Sequence, residues 1–369
     1  MIYLDNGATS LHKPESVYRA VQDAMRHCAN PGRGGYAESM AASRRVYACR
    51  EEAANLFHCK PEQVVFTANC THGLNIAIGT LIKPGSRVVI SGFEHNAVTR
   101  PLHGLGAAIR VAGRKLFDWQ DTLQQWEAAL KEGVDAAVFT HVSNVFGYIL
   151  PVEEMAVLCR KYAVPFILDA AQSAGTLQVD MQALGADFIA MPGHKGLLGP
   201  QGTGLLLCGR DPQPLLLGGT GSDSVLQTMP GYLPDRLEAG TLNVPGIAGL
   251  GAGIQYLRRQ GIDNIFRREH TAAMQAVTDL QAMGLQVFTG PHQAATVSFL
   301  PSMDCEQAAD VLGRCGIAVR AGLHCAPLAH ESAGTLRCGT VRISFGHDAC
   351  PAQNLALRRG VAENILGRV

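Results

Sequence analysis

The chain has 369 residues, of which 47% are hydrophobic and 17% charged, and its formal net charge is zero. This length and composition allow a large buried core in two or three folding units, and they exclude an intrinsically disordered chain. Because the sequence contains no Lys/Arg block, neither nucleic acid nor an anionic membrane is expected as a partner.

The N-terminal stretch MIYLDNGATS lacks the basic and apolar regions of a signal peptide, and no apolar run reaches the ~18 residues of a membrane span. The eleven cysteines form no CxxC pair. This pattern argues against a zinc ribbon, a thioredoxin motif or a disulfide framework. We therefore expect a soluble, cytoplasmic protein with reduced thiols and no metal site.

Short apolar runs alternate with amphipathic stretches through the first two thirds of the chain. The runs expected to be buried parallel strands lie at 63–67, 87–91, 136–140, 165–169 and 187–191. The stretches expected to be helices lie at 73–82, 119–131 and 152–162. This alternation predicts a parallel α/β sheet with helices on both faces.

The pattern changes after about residue 250. Two long helices are predicted at 247–260 and 262–283, followed by strands at 296–300, 318–320 and 340–344 and a helix at 306–315. This order of elements is typical of a smaller α+β domain.

Four of the predicted strands end in unusual polar residues, where an open parallel sheet binds its ligands. After the first strand, Thr71 and the free N–H groups of a helix start could hold an anion such as a phosphate, although the same residues also suit a helix cap. After the second, His95 could stack on a flat aromatic ligand or could be an ordinary polar residue.

Asp169 ends a buried strand, where an unpaired carboxylate is costly. The pyridinium nitrogen of pyridoxal phosphate would be a suitable partner, and the alternative is a helix cap. Lys195 follows the next strand within Pro192-Gly193-His194-Lys195-Gly196. This position suits a lysine whose amine binds an aldehyde, provided that desolvation and nearby positive charge keep the amine neutral. The alternative is a surface lysine, but the order of all four signals is more specific than any one of them.

With these motifs and the opening YLDNGAT, the sequence resembles the fold-type I pyridoxal-phosphate enzymes of the class V aminotransferase group. Within that group it is similar to the cysteine desulfurases and selenocysteine lyases, because the segment 320–326 resembles their Arg-x-Gly-x-His-Cys-Ala pattern. The resemblance implies an α/β fold with a large cofactor-binding domain, 16–250, built on a mainly parallel seven-stranded sheet. It also implies a smaller α+β domain, formed by 1–15 and 251–369, that carries the catalytic cysteine.

The resemblance also implies roles for individual residues. Pyridoxal 5'-phosphate would be held by Thr71, His95, Asn144, Asp169, Gln172, His194, Lys195 and Thr241, the last reaching across from the neighbouring subunit of a homodimer. The substrate would be bound by Arg33, Asn144, Arg320 and Arg342, with Arg342 on the carboxylate. The residues implied in catalysis are Lys195, Cys325 and His95.

In the implied reaction, Lys195 is the Schiff-base lysine and also carries the α-proton of the substrate. The Cys325 thiolate takes the sulfur of L-cysteine as a persulfide, L-alanine leaves, and His324 or Arg320 could assist the ionisation of the thiol. A sulfur-acceptor protein is a further expected partner.

The sequence leaves three alternatives open: a selenocysteine lyase, an aminotransferase-like enzyme, and a catalytically silent scaffold. Two positions depart from the family pattern. Pro192 replaces a serine of many relatives and removes one phosphate donor, and Phe345-Gly346-His347-Asp348 replaces a segment that often contains Tyr-Asn.

Overall fold

The computed structural model describes residues 1–32 and 34–367, and this part of the chain alternates strands with helices. The strands are β1 (Ile2–Tyr3), β2 (Val64–Thr67), β3 (Arg87–Ser91), β4 (Ala108–Ala112), β5 (Ala136–Thr140), β6 (Phe166–Asp169), β7 (Phe188–Pro192), β8 (Gly204–Cys208), β9 (Gln286–Phe288), β10 (Thr296–Leu300), β11 (Ile317–Ala318), β12 (Arg320–Gly322) and β13 (Thr340–Ser344). The α-helices are α1 (Glu15–His27), α2 (Ala37–Phe57), α3 (Cys70–Leu81), α4 (Asn96–Gly104), α5 (Trp119–Lys131), α6 (Val152–Lys161), α7 (Met181–Leu184), α8 (Val244–Gln260), α9 (Ile262–Ala282), α10 (Cys305–Arg314), α11 (Pro327–Ser332) and α12 (Pro351–Asn364).

The central sheet has seven strands in the order β2-β8-β7-β6-β5-β3-β4. Its neighbouring strands are parallel except at β8, which runs antiparallel to both β2 and β7. Every residue of β5, β6 and β7 is buried, as expected when helices cover both faces of a sheet. The predicted α/β fold with a mainly parallel seven-stranded sheet is confirmed.

A second sheet, of order β12-β13-β10-β9, is antiparallel throughout and forms its own core with α9, α10 and α12. The N-terminal residues attach to this part of the molecule, because β1 pairs with β11 and the Ser344 N–H donates to the Leu4 carbonyl at 2.7 Å. No helix in the described ranges is both long enough and apolar enough to cross a membrane.

The strand predicted at 318–320 is wrong in its bounds, because two short strands meet there. β11 ends at Ala318 and pairs in parallel with β1, whereas β12 begins at Arg320 and pairs in antiparallel with β13. The chain changes partner at Val319, and such a change depends on distant strands rather than on local apolar pattern.

Helix α8 approaches its neighbours closely through its glycines. A Cβ added at Gly249 would lie 2.6 Å from a side-chain carbon of Val21, and one added at Gly253 would lie 2.4 Å from the Leu197 carbonyl oxygen. Leu197 belongs to the turn that carries Lys195, so α8 packs directly against this turn.

A buried ion pair joins α2 to the segment that follows the central sheet. Two nitrogens of Arg50 donate to the two carboxylate oxygens of Glu238, each at 2.9 Å, and the Phe66 N–H also donates to Glu238 at 2.8 Å. Both charged side chains are buried. Breaking such a pair is costly because it leaves the other charge uncompensated.

We expect Glu238→Gln to lower the free energy of unfolding by about 3–5 kcal/mol, because the Arg50 charge would stay buried without its counter-charge. Urea denaturation followed by circular dichroism measures this change. The matched control is Glu52→Gln, which breaks a partly exposed pair with Arg258 and should cost no more than about 1 kcal/mol. Equal losses in the two variants would contradict the prediction.

Candidate active site

A cavity of about 110 Å³ lies at the carboxyl edge of the central sheet. The segments that follow β2, β3, β5, β6 and β7 line it, since parallel strands bring their carboxyl ends to one edge. Seven of the eight residues predicted to hold the cofactor share this cavity: Thr71, His95, Asn144, Asp169, Gln172, His194 and Lys195.

The turn that carries Lys195 is packed too tightly for side chains at its glycines. A Cβ at Gly193 would lie 2.1 Å from the Thr203 hydroxyl oxygen, and one at Gly196 would lie 2.4 Å from the Ala174 carbonyl oxygen. The two glycines therefore let the turn sit against the sheet, and this holds the lysine at the cavity wall.

Burial lowers the pKa of Lys195, and the nearby positive charge of Arg342 lowers it further, whereas Asp169 acts in the opposite direction. The amine is therefore closer to neutrality than that of a surface lysine. A neutral amine is what addition to an aldehyde requires.

Asp169 is 2% exposed, yet it has weak partners for a buried carboxyl group. Its Oδ1 accepts a hydrogen bond from the Ala171 N–H at 2.9 Å and a weaker one from the Cys70 thiol at 3.5 Å. Burial raises the pKa of Asp169. Among the described residues no cation bonds this carboxyl group, so it can still take a charged partner from a ligand in the cavity.

His95 caps helix α4, and its Nδ1 accepts a hydrogen bond from the Ala97 N–H at 3.0 Å. Burial and, after it, the charge of Lys195 lower the pKa of His95 to about 4. The imidazole is therefore neutral at pH 7, and it presents a flat, uncharged ring to the cavity.

Two groups that can hold an anion lie at the same cavity. The Asn69 side chain caps α3 by accepting from the His72 N–H at 2.9 Å, and Thr71 stands in the first turn of that helix. His194 Nδ1 lies 3.0 Å from the hydroxyl oxygen of Thr9. Thr9 belongs to the opening motif of the sequence, and no role was predicted for it.

The loop that carries Cys325 is tied to the cavity wall from two sides. The Asn96 N–H donates to the Cys325 carbonyl at 2.8 Å, and the Asn144 side chain donates to the His324 carbonyl at 2.8 Å. Since Asn96 follows His95 directly, these bonds place the loop beside the cavity. The contact made by Asn96 was not predicted, since it joins residues far apart in the chain.

The backbone of this loop is in an unfavourable conformation. His324 and Cys325 have φ of 49° and 56°, in the left-handed region that residues with a Cβ rarely adopt. Strained residues of this kind persist only when surrounding contacts hold them, and they are common at functional sites.

The expectation that His324 could assist ionisation of the cysteine does not fit its environment. The ring is buried, and burial together with the charge of Arg342 lowers the pKa of His324 to about 2. A neutral imidazole does not stabilise a thiolate as a cation would. The ring instead lies 3.3 Å from the Thr340 hydroxyl and serves to pack the loop.

Exposure separates Cys325 from most of the other cysteines. Only four of the eleven are exposed, namely Cys315, Cys325, Cys338 and Cys350. Burial raises the pKa of Cys49, Cys159 and Cys208, which makes these thiols poor nucleophiles. Of the four exposed cysteines, Cys325 is the one whose loop is bonded to the cavity wall.

Arg342 is more deeply buried than expected for a residue that binds a substrate at the open wall of a cavity. It is 2% exposed, and it donates to the Asp5 carboxylate at 2.5 Å and to the Asn144 carbonyl at 2.9 Å. Its Nε has no partner among the described residues. Arg320 is exposed and lies opposite Arg342 in the β12–β13 pair. Asp5 was not assigned a role, although it stands in the opening motif.

The eighth residue predicted to hold the cofactor, Thr241, does not line this cavity in its own chain. Thr241 is exposed and lines a different, open cavity of about 870 Å³ together with Arg50 and Glu238. Arg33 lies outside the described residues.

The residues that depart from the family pattern, Pro192 and the His347-Asp348 pair, make specific contacts. Pro192 lines the cavity at the end of β7, where it offers no hydrogen-bond donor. Asp348 lies 2.8 Å from His12, and Arg268 donates to the His347 carbonyl at 2.8 Å. The unusual His347-Asp348 pair therefore joins the N-terminal segment to helix α9.

Comparison with known proteins agrees with this geometry. The family model for aminotransferase class-V matches residues 2–354. A probable cysteine desulfurase of Methanothermobacter thermautotrophicus is 36% identical over 363 residues, covering 91% of this chain and 89% of the relative. The apo structure of a cysteine desulfurase from Thermococcus onnurineus has a TM-score of 0.90 at 31% identity and covers 99% of this chain and 95% of its own. The cysteine desulfurase CsdA of Escherichia coli, solved in an S-sulfonic acid form, has a TM-score of 0.85 at 26% identity, covering 100% of this chain and 95% of its own.

Proposed function

The chain belongs to the class-V aminotransferase family and, within it, to the cysteine desulfurases, and on this premise we propose that it converts L-cysteine to L-alanine with pyridoxal phosphate as cofactor. In this proposal Cys325 accepts the substrate sulfur as a persulfide. The observation that carries it is the strained loop of Cys325, whose carbonyl is bonded to the Asn96 N–H beside His95. This bond holds an exposed thiol next to the cavity that contains Lys195.

The cavity fits pyridoxal phosphate on its own chemistry. Asp169 is a buried carboxyl group that no cation among the described residues bonds, and it would hold the pyridinium nitrogen. The N–H groups at the start of α3, with Thr71 and His194, would hold the phosphate. His95 would lie against the ring, Gln172 and Asn144 would lie near its phenolic oxygen, and Lys195 would supply the amine for the aldehyde. The bound cofactor would supply an electron sink that makes the α-hydrogen of an amino acid acidic.

The protein side chains would then perform three tasks. Lys195, with its lowered pKa, would take the α-proton from the substrate and return it as an acid. Arg342 and Arg320 would attract the substrate carboxylate, and Arg342 is already oriented by Asp5. Arg33, which lies outside the described residues, stays a proposed third contact.

The sulfur transfer balances without an external oxidant. The Cys325 thiolate would attack the sulfur of the substrate, so that an S–S bond forms while the C–S bond breaks. The electron pair of the broken bond stays with the substrate carbon, which takes a proton and becomes the methyl group of alanine. The products are one alanine and one Cys325 persulfide, from which an acceptor thiol would take the sulfur.

The proposal is tested by supplying the reconstituted protein with L-cysteine and a thiol reductant and measuring alanine and sulfide. Equal amounts of the two products are expected. Pyruvate and ammonia in place of alanine would indicate a C–S lyase, and a requirement for a 2-oxo acid would indicate an aminotransferase. L-selenocysteine supplied in parallel measures the preference between the two substrates. A protein that makes none of these products would be a scaffold.

We also propose that two chains assemble into a homodimer in which Thr241 of one chain completes the phosphate site of the other. Support comes from the position of Thr241, which is exposed and apart from the cavity of its own chain. We expect analytical ultracentrifugation to give twice the mass of one chain, and Thr241→Ala to weaken binding of pyridoxal phosphate. A monomer with unchanged cofactor affinity in the variant would contradict this arrangement.

The proposal also includes the cellular compartment of the protein and the division of its chain into domains. The eleven free cysteines suit a reducing, cytoplasmic compartment. The separate core around the second sheet supports a small domain formed by 1–15 and 251–369, with a large domain at 16–250.

A further inference from the structure

A second, smaller cavity of about 50 Å³ adjoins the larger one at Lys195. Lys195 and Gln172 line both cavities, together with Val142 and Ala171. The lysine therefore borders both cavities. We call the smaller one the rear cavity.

The rear cavity contains a buried acid, Glu269 of helix α9, which is 5% exposed. Its carboxyl group makes neither a hydrogen bond nor an ion pair with any of the described residues. A buried carboxyl group is usually paired, and one that is not is commonly protonated or bonded to water. Burial, followed by the charge of Asp348, raises the pKa of Glu269 to about 8, whereas Arg268 acts against this. The group is therefore able to exchange a proton near neutral pH.

His347 lines the same cavity. It is half-buried, and its ring packs edge-on against Tyr256 at 5.6 Å. The charged and titratable groups that act on it are Asp348, Arg268, His12 and Lys13, and burial lowers its pKa. A second group that can carry a proton thus lines the rear cavity with Glu269, and it is the more exposed of the two.

The size and polar lining of the rear cavity suit water. A volume of about 50 Å³ is enough for a few water molecules. A metal ion would meet the amine of Lys195, and the described residues include no group of three or more His, Cys, Asp or Glu side chains able to hold one. Water is the occupant that fits a cavity lined by hydroxyl, amide and carboxyl groups.

We propose that the rear cavity is a proton-exchange route, in which Glu269 and His347 pass protons through water between solvent and the amine of Lys195. This inference rests on the proposed function, because it gives a second path to the group that carries the α-proton. The exchange is balanced: the Lys195 ammonium gives one proton to the route and takes one back. Its consequence is that hydrogens delivered to alanine come largely from solvent rather than from the substrate.

The experiment supplies L-cysteine deuterated at Cα to the reconstituted enzyme in ordinary water and measures deuterium in the alanine by mass spectrometry. We expect wild type to retain only a trace. In Glu269→Gln the exchange should slow by about 10²-fold or more, the usual effect of losing a positioned proton-transfer group, so deuterium retention in the alanine should rise clearly above that of wild type. The retained fraction is counted per alanine formed and reports the competition between exchange of the abstracted hydrogen and its return to the substrate carbon.

Asp263→Asn is the matched control, because Asp263 is exposed on the same helix and does not line the rear cavity. It should retain as little deuterium as wild type. Equal retention in wild type and Glu269→Gln, with alanine still formed, overturns the route and leaves the proposed function standing. A wild type that forms no alanine overturns both. Should Glu269→Gln fold poorly, His347→Gln replaces it, with raised retention again expected.

A second readout needs neither substrate nor turnover. Infrared difference spectra between wild type and Glu269→Gln should contain a protonated carboxyl band at pH 7 that disappears as the pH rises through about 8. Absence of that band at pH 7 would mean that Glu269 is fully ionised, and the proposed exchange would lose its buried acid.

Discussion

Cys325→Ala is expected to lower the rate of alanine formation from L-cysteine by at least about 10³-fold, as the loss of a nucleophile commonly does. The reason is that the Cys325 loop is bonded to the cavity wall, through the Cys325 carbonyl to Asn96 and the His324 carbonyl to Asn144. The Cys70 thiol also lines the cavity, but burial raises its pKa well above the ordinary value and makes it a poor nucleophile. With L-selenocysteine the loss should be much smaller, because selenide can leave without an acceptor thiol. Alanine, sulfide and selenide assays on the same preparations measure both effects.

The matched control for Cys325→Ala is Cys338→Ala, since Cys338 is also exposed but lies in the loop before β13. It should keep the activity of wild type with both substrates. Wild-type activity of Cys325→Ala on L-cysteine would mean that sulfur leaves by a route without a protein persulfide, and the desulfurase mechanism proposed above would be wrong.

Lys195→Ala is expected to lower alanine formation by at least about 10³-fold and to remove the visible absorbance of lysine-bound pyridoxal phosphate. Two tasks fail together in this variant, because the same amine binds the aldehyde and moves the α-proton. Lys195→Arg tests the charge separately, since a guanidinium keeps the positive charge but does not give up its proton. Both variants should be inactive, and both should keep the circular dichroism spectrum of the wild type.

Lys131→Ala serves as the control for the lysine variants, because Lys131 is exposed at the end of α5. Its activity and absorbance should equal those of wild type. If Lys195→Ala kept the visible absorbance, another amine would hold the aldehyde, and the assignment of Lys195 would fail. If it kept the absorbance and also the activity, the proton carrier would be another residue as well.

Local sequence pattern predicted five strands of the central sheet and the residues that follow them, whereas the total of seven strands came from the family resemblance. The strands β4 and β8 were not predicted from their residues. Buried parallel strands appear as short apolar runs, so the strands at 87–91 and 136–140 were predicted with their observed bounds. Asp169 ends such a strand, and Thr71, His95 and Lys195 each follow one within a few residues. Since parallel strands end at one edge of a sheet, their meeting in one cavity follows from local pattern and topology.

Contacts between distant segments could not be predicted in the same way. The Asp5 carboxylate on Arg342, the Asn96 bond to the Cys325 loop and the change of strand partner at Val319 each join residues far apart in the chain. No local pattern of residue types specifies such partners. Tertiary packing alone decides them.

The protonation states and the rear cavity also required the tertiary structure. His324 was a candidate cation in the sequence, but burial lowers its pKa to about 2 and keeps it neutral. In the sequence, Glu269 cannot be distinguished from other acidic residues on amphipathic helices. Tertiary packing alone places it in a cavity with Lys195. The sequence determined which chemical groups the protein has and which strands carry them. The tertiary structure decided which groups are desolvated and which share a cavity, because the charge state of a group depends on neighbours from every part of the chain.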